Sequence, residues 1–266
     1  MIDNKILANT SVPMAFENGK ALIGFLTAGD PSLLKTEDFI IAMANAGADL
    51  IEIGIPFSDP IAEGEVIQRA NIRALKAGAT TDQIFEMVKS VRTKTQVPLV
   101  FLTYINPVFV YGVERFFENC KACGIGGIII PDLPFEERDE VFEISQKNDV
   151  ALITLIAPTS KDRVAMLAKD AKGFIYLVSS MGVTGVRSEI HTDLKSIIDE
   201  IRKVTKTKIA VGFGISTPEQ ACEIAKVADG VIVGSAIVKI IEKYGENAEN
   251  KLTEYISEMK MAVRLD

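Results

Sequence analysis

Eight short apolar runs, each followed by a segment with helical spacing, set the narrowest limit on what this chain can fold into. They are ALIGFLT (21–27), DLIEIG (49–54), PLVFLT (98–103), GGIIIP (126–131), VALITLI (150–156), GFIYLV (173–178), KIAVGF (208–213) and GVIVGS (230–235). Runs this short and this rich in Ile, Val and Leu read as strands covered on both faces. The intervening patterns, among them KTEDFIIAMANAG, TDQIFEMVKSV, VERFFENCKA, EERDEVFEISQK, KDRVAMLAKDA, TDLKSIIDEIRKV and TPEQACEIAKV, read as helices, several of them opened by Ser, Thr or Asp. Strand and helix in strict alternation require a parallel sheet covered by helices. An α/β fold closed as a (β/α)8 TIM barrel fits better than a doubly wound sheet. VIQRANIRALKAG after the second strand and NAENKLTEYISEMKMAVRL at the tail add covering helices. The 266 residues suit one such barrel, and with no linker or low-complexity tract the expectation is a single domain over 1–266.

The formal charge of −7, with no basic cluster, argues against a nucleic-acid surface. No stretch approaches the roughly 20 apolar residues of a membrane span, and MIDNKILANTSVPM has no signal-peptide core, so the expected location is the cytoplasm. Cys120 and Cys123 form a CxxC at the end of a helical pattern. A redox pair or half a zinc site is one reading of that spacing; small residues packed in a helix is the other. The one histidine, His191, stands ahead of a helical pattern, where a surface or capping position suits it.

Glu52 is the anomaly. It lies between Ile51 and Ile53 in a strand that should be buried. Side chains alternate along a strand, so Ile51, Ile53 and Ile55 share one face while Leu50, Glu52 and Gly54 share the other. With the β-branched face toward the helices, Glu52 points into the barrel near the carboxyl end of its strand, where barrel enzymes place their chemistry. Burial there raises a carboxyl pKa, which suits a group that must give and take a proton near neutrality. An internal salt bridge, or a strand register shifted by one, is the alternative.

The strand ends supply glycines. GFGIST (212–217) and GSAIVK (234–239) follow the seventh and eighth strands, and Ser235 opens a helix. Loops at those two places with a helix N-terminus form the recurring phosphate site of such barrels. GVTG (182–185) after the sixth strand is placed to close over the same anion. Lys20 and Lys208 lie at strand starts, away from the position a Schiff-base lysine needs, and one histidine cannot furnish a metal-dependent aldolase cluster. Acid–base chemistry on a phosphorylated substrate, without metal or cofactor, is what remains.

In chain order, FLTAGDP (25–31), IEIGIPFSDP (51–60), LTYINPVF (102–109), PDLP (131–134), YLVSSMGVTG (176–185), GFGIS (212–216) and GSAIVK (234–239) resemble the tryptophan synthase alpha chain family, from about Gly19 onward. The resemblance implies reversible retro-aldol cleavage of indole-3-glycerol phosphate to indole and glyceraldehyde 3-phosphate, with Glu52 as the proton shuttle. It implies a second carboxylate at Glu63, in Ala-Glu-Gly-Glu (62–65), where the family usually has ADGP, so that Glu replaces Asp and Glu65 replaces Pro. By the same resemblance Phe25, Leu102, Ile129 and Tyr176 line the indole pocket and Thr184 positions the second carboxylate. Gly185, Gly214, Gly234 and Ser235 bind phosphate, and Tyr104 and Asp132 order the loops. It further implies an alpha2-beta2 heterotetramer in which loop 2 (56–65) and the loop carrying Asn106 and Pro107 face the beta chain, with pyridoxal phosphate held by that partner only. The match is poorest before Gly19, where NTSVPMAFENGK is expected to form only part of a helix closing the barrel bottom. A barrel without catalysis, serving as scaffold, and a standalone lyase releasing free indole are the competing readings.

Overall fold

The computed structural model describes residues 10–157, 161–179, 187–212 and 214–264. Its sheet is built of parallel strands: β1 (Ala21–Thr27), β2 (Leu50–Gly54), β3 (Leu99–Leu102), β4 (Gly127–Ile129), β5 (Ala151–Leu152), β6 (Thr154–Ile156), β7 (Phe174–Val178), β8 (Lys208–Gly212) and β9 (Gly230–Val233). The order across the sheet is β5-β4-β3-β2-β1-β9-β8-β7-β6. Its two ends are consecutive pieces of one stretch of chain, so the sheet curls round into a barrel. The run 150–156, expected as one strand, is divided at Ile153. Ala151 and Leu152 pair with β4, and Thr154 to Ile156 pair with β7. Tilted barrel strands are staggered against both neighbours, and this short strand meets one with its first half and the other with its second.

The helices are α1 (Leu33–Asn45), α2 (Glu65–Lys76), α3 (Thr81–Arg92), α4 (Ile105–Tyr111), α5 (Val113–Cys123), α6 (Asp139–Lys147), α7 (Lys161–Lys169), α8 (Arg187–Val204), α9 (Pro218–Ala225), α10 (Ser235–Tyr244) and α11 (Glu249–Val263). Thr80 and Thr217 open α3 and α9 with reciprocal capping boxes to Gln83 and Gln220. Two elements differ from expectation. Asn106 and Pro107, read as loop, lie in the first turn of α4, where proline's missing N–H has no helical partner to lose. His191 lies inside α8, which begins earlier than its apolar pattern suggests.

Strand alternation sorts the core into two layers. Leu26, Ile51, Ile53, Phe101, Ile128 and Val211 pack outward against the helices. Ile23, Leu50, Val100, Ile129, Phe174, Tyr176, Ala210 and Ile232 fill the barrel. Among the described residues a 3-10 turn, Val12–Phe16, covers the bottom, and its Val12 and Phe16 belong to the inner layer. Phe16 meets Phe174 at a ring-centroid distance of 5.9 Å. Cys120 and Cys123 are buried in the outer layer, and burial pushes the Cys123 thiol up to about 12, so its reactive thiolate form is suppressed at neutral pH. Among the described residues no helix is long and apolar enough to cross a membrane.

Candidate active site

Glu52 lies on the inner face of β2, level with Phe25 on β1 and Val100 on β3. Only 1% of it is exposed, and its Oε1 has no hydrogen-bond partner among the described residues. Burial alone pushes its carboxyl up to about 8. Among the described residues no hydrogen bond or salt bridge reaches its Oε1, and the register is not shifted: Ile51 and Ile53 pack in the helix-facing layer and Leu50 inside the barrel. A buried carboxyl with no partner is costly unless it stays protonated. At neutral pH its apolar surroundings therefore favour the protonated form.

The chamber walls are aromatic and aliphatic. Phe25 packs with Leu102 and with Val66, Ile67 and Ala70 of α2. Ile129 is fully buried beneath, level with Leu102. Two strand-end glycines are small for a reason: a Cβ on Gly54 would stand 2.8 Å from the Phe25 ring, and one on Gly212 would collide with the Tyr176 hydroxyl. Tyr176 is buried, and desolvation together with the nearby Glu52 charge raises its pKa well above the usual phenol value.

Glu63 approaches from the loop between β2 and α2. It is half-buried, and its Oε2 accepts a 2.8 Å hydrogen bond from Asn71 Nδ2. Burial pushes its carboxyl up to about 7, a rise limited by that hydrogen bond. The loop is tied from several sides. The Tyr104 hydroxyl accepts the N–H of Ala62 at 3.0 Å, and Gln68 Nε2 donates to the Glu63 carbonyl at 2.8 Å. Phe57 packs on Tyr104, with centroids 5.3 Å apart. Asp132, after β4, accepts the Ile105 N–H at 2.9 Å and so fixes the start of α4 beside the loop. Glu65 is the first residue of α2, a position that suits a proline's fixed φ and equally an acid facing the positive end of the helix dipole.

At the neighbouring ends of β8 and β9, Gly214 takes a positive φ of 78°, and Gly234 with Ser235 begins α10, whose N-terminus carries no side-chain cap. Backbone N–H groups left uncapped at a helix start suit an anion. Thr184 and Gly185 lie outside the described residues. Among the described residues no cluster of three His, Cys, Asp or Glu is placed to hold a metal ion. Sequence reasoning missed Val66, Ile67 and Asn71 as parts of the site. Asn71 left one signal, since asparagine is disfavoured inside a helix unless its side chain is engaged.

Residues 13–264 match the family model described as tryptophan synthase alpha chain. The tryptophan synthase alpha chain of Alkaliphilus metalliredigens is 52% identical over 84% of both chains, and that of Lacticaseibacillus casei is 46% identical over 93% of both. Among solved structures, a tryptophan synthase subunit alpha from Campylobacter jejuni superposes with a TM-score of 0.86 at 38% identity, covering 93% of this chain and 98% of that one. A chain of the tryptophan synthase a2b2 complex from Pyrococcus furiosus gives 0.83 at 39%, covering 91% and 98%.

Proposed function

The chain belongs to the tryptophan synthase alpha chain family, and from that premise we propose that Glu52 and Glu63 are its acid–base pair. It is a lyase, the subunit that cleaves indole-3-glycerol phosphate to indole and glyceraldehyde 3-phosphate in tryptophan biosynthesis. The observation that carries the residue assignment is a pair of desolvated carboxyls at one end of the barrel, Glu52 buried on β2 with Oε1 unpartnered among the described residues and Glu63 held by Asn71, burial raising both.

Cleavage needs C3 of the indole protonated and the adjacent side-chain hydroxyl deprotonated. Neutral Glu52 gives its proton to C3 while ionised Glu63 takes the N1 proton, forming the indolenine. Glu52, now a carboxylate, removes the hydroxyl proton; the carbonyl forms and the C–C bond breaks. Its electrons return to the ring, and N1 recovers its proton from Glu63. Both carboxyls end as they began, so no external proton source is required. Phe25, Leu102, Ile129 and Tyr176 hold the ring; Gly214, Gly234 and Ser235 take the phosphate, joined in this reading by Gly185, with Thr184 closing on Glu63. Tyr104 and Asp132 hold the loops. This chemistry asks no cofactor of the chain, and pyridoxal phosphate is assigned to the partner.

That partner is a beta chain, in an alpha2-beta2 assembly like the complex described for the Pyrococcus relative. Ile61 (81% exposed), on the loop that carries Glu63, and Val110 (80%), on α4, are exposed apolar side chains of the two segments assigned to that contact.

The purified chain is assayed with indole-3-glycerol phosphate, alone and with a beta chain, for indole release. Cleavage that rises with the beta chain is expected; a folded protein inactive under both conditions would leave only the scaffold reading. A pH profile tests the pair. The value of kcat/KM should climb as Glu63 ionises around 7 and fall as Glu52 loses its proton around 8, giving a narrow bell. A rate flat from pH 6 to pH 9 would remove both from the chemistry. Gly54→Ala should push the Phe25 ring into the pocket and raise KM by about tenfold with the fold intact. An unchanged KM would place Phe25 outside the indole site.

A further inference from the structure

We propose that Asn71 is a positioning residue for Glu63, orienting its carboxylate toward the substrate through the side-chain amide. The proposal rests on the role given to Glu63 above. Asn71 lies in the second turn of α2, only 4% exposed, eight residues beyond Glu63 in the chain. Its two amide protons are both committed, one to Glu63 Oε2 at 2.8 Å and one to the Ile67 carbonyl at 3.0 Å. Its carbonyl oxygen accepts the Phe57 N–H at 3.0 Å. Turning the amide over would set oxygen against the carboxylate and the Ile67 carbonyl, and N–H against N–H, so the network admits one orientation.

One side chain therefore ties the start of the loop, at Phe57, and its working end, at Glu63, to the same helix. Tyr104 and Gln68 hold the backbone on either side of Glu63, and Asn71 alone among the described residues holds its carboxylate. Oε1 has no partner among the described residues and is the oxygen left for the indole N–H. An amide suits this place better than a cation. It fixes direction and favours the ionised form without the deep pKa depression an ion pair would impose, and so leaves a group that still exchanges a proton near neutrality. It also accounts for the glutamate: the longer side chain reaches a fixed donor on α2.

The competing reading is that Asn71 merely clamps the loop through Phe57. Asn71→Asp separates the two, because it keeps an oxygen for the Phe57 N–H while replacing the donor that faces Glu63 with a like charge. With the full chain, beta chain and indole-3-glycerol phosphate, Asn71→Asp should lower kcat by about tenfold or more and move the acidic limb of the pH profile up by about one unit. Asn71→Ala should move it the same way by less. In a Glu63→Ala background either change should alter kcat less than twofold, since nothing remains to be positioned. An unshifted acidic limb in Asn71→Asp, or equal losses with and without Glu63, overturns the proposal and leaves a loop clamp. A Glu63→Ala enzyme within twofold of wild type would instead sink the role of Glu63 itself, and the proposal with it.

Discussion

Glu52→Gln is expected to abolish cleavage of indole-3-glycerol phosphate, by about 10³-fold or more, while leaving the barrel folded and glyceraldehyde 3-phosphate still able to bind. Glutamine keeps the shape and removes the proton that must reach C3. Near-normal turnover by a folded Glu52→Gln protein would take Glu52 out of the mechanism. The same substitution carries a second signature. The carboxyl is raised from 4.5 to about 8 by burial, so the folded state holds this proton more tightly than the unfolded chain. The stability it contributes is fully present below pH 4.5 and lost as pH rises to about 8, a loss on the order of 5 kcal/mol for this group. Wild type should therefore weaken across that interval in denaturant titrations, and the glutamine variant should lack this part of the slope. Parallel stability curves for the two proteins would mean that the carboxyl is not as dry as its surroundings imply. A group that costs stability when ionised, in a chamber otherwise filled with Phe, Ile, Leu and Tyr, belongs to function rather than to folding.

Glu63→Ala should cost about 10²-fold or more in kcat, with KM changed less, because the N1 proton then has no acceptor. A loss below twofold would show that the second carboxylate is not needed. Glu63→Asp is the finer test. It retains the acid but withdraws it from Asn71 by about one methylene, roughly 1.5 Å. Its rate should fall between those of wild type and Glu63→Ala, with the shortfall reflecting the lost 2.8 Å hydrogen bond. The Glu65 substitution needs no compensation of this kind, since α2 starts on that residue and an acid is favourable there.

Much of this was legible in the chain. The eight apolar runs fixed the strands because parallel barrel strands are covered on both sides and have no polar face to disguise them. The alternation about Ile51 and Ile53 assigned Glu52 to the interior because a strand's side-chain period is 2 and a shift of one residue would have turned the whole set from the helices into the barrel. The strand-end glycines were visible as glycines, and the structure adds what two of them make room for, the Phe25 ring and the Tyr176 hydroxyl.

Other features depend on parts of the chain that meet only in three dimensions. The division at Ile153 follows from the stagger of β4 and β7 on either side of it. The short turn Val12–Phe16 is anchored in the barrel because Phe16 meets Phe174, more than a hundred residues away in the chain. Tyr104 reaches Ala62, and Asp132 reaches Ile105, across separate loops. Sequence by itself determined which residues face inward, because backbone geometry makes that a local property. Only the tertiary structure decided that Glu52 Oε1 has no partner among the described residues and that Glu63 has Asn71. The proton affinity of a buried acid depends on every group that surrounds it, and those groups come from all round the barrel.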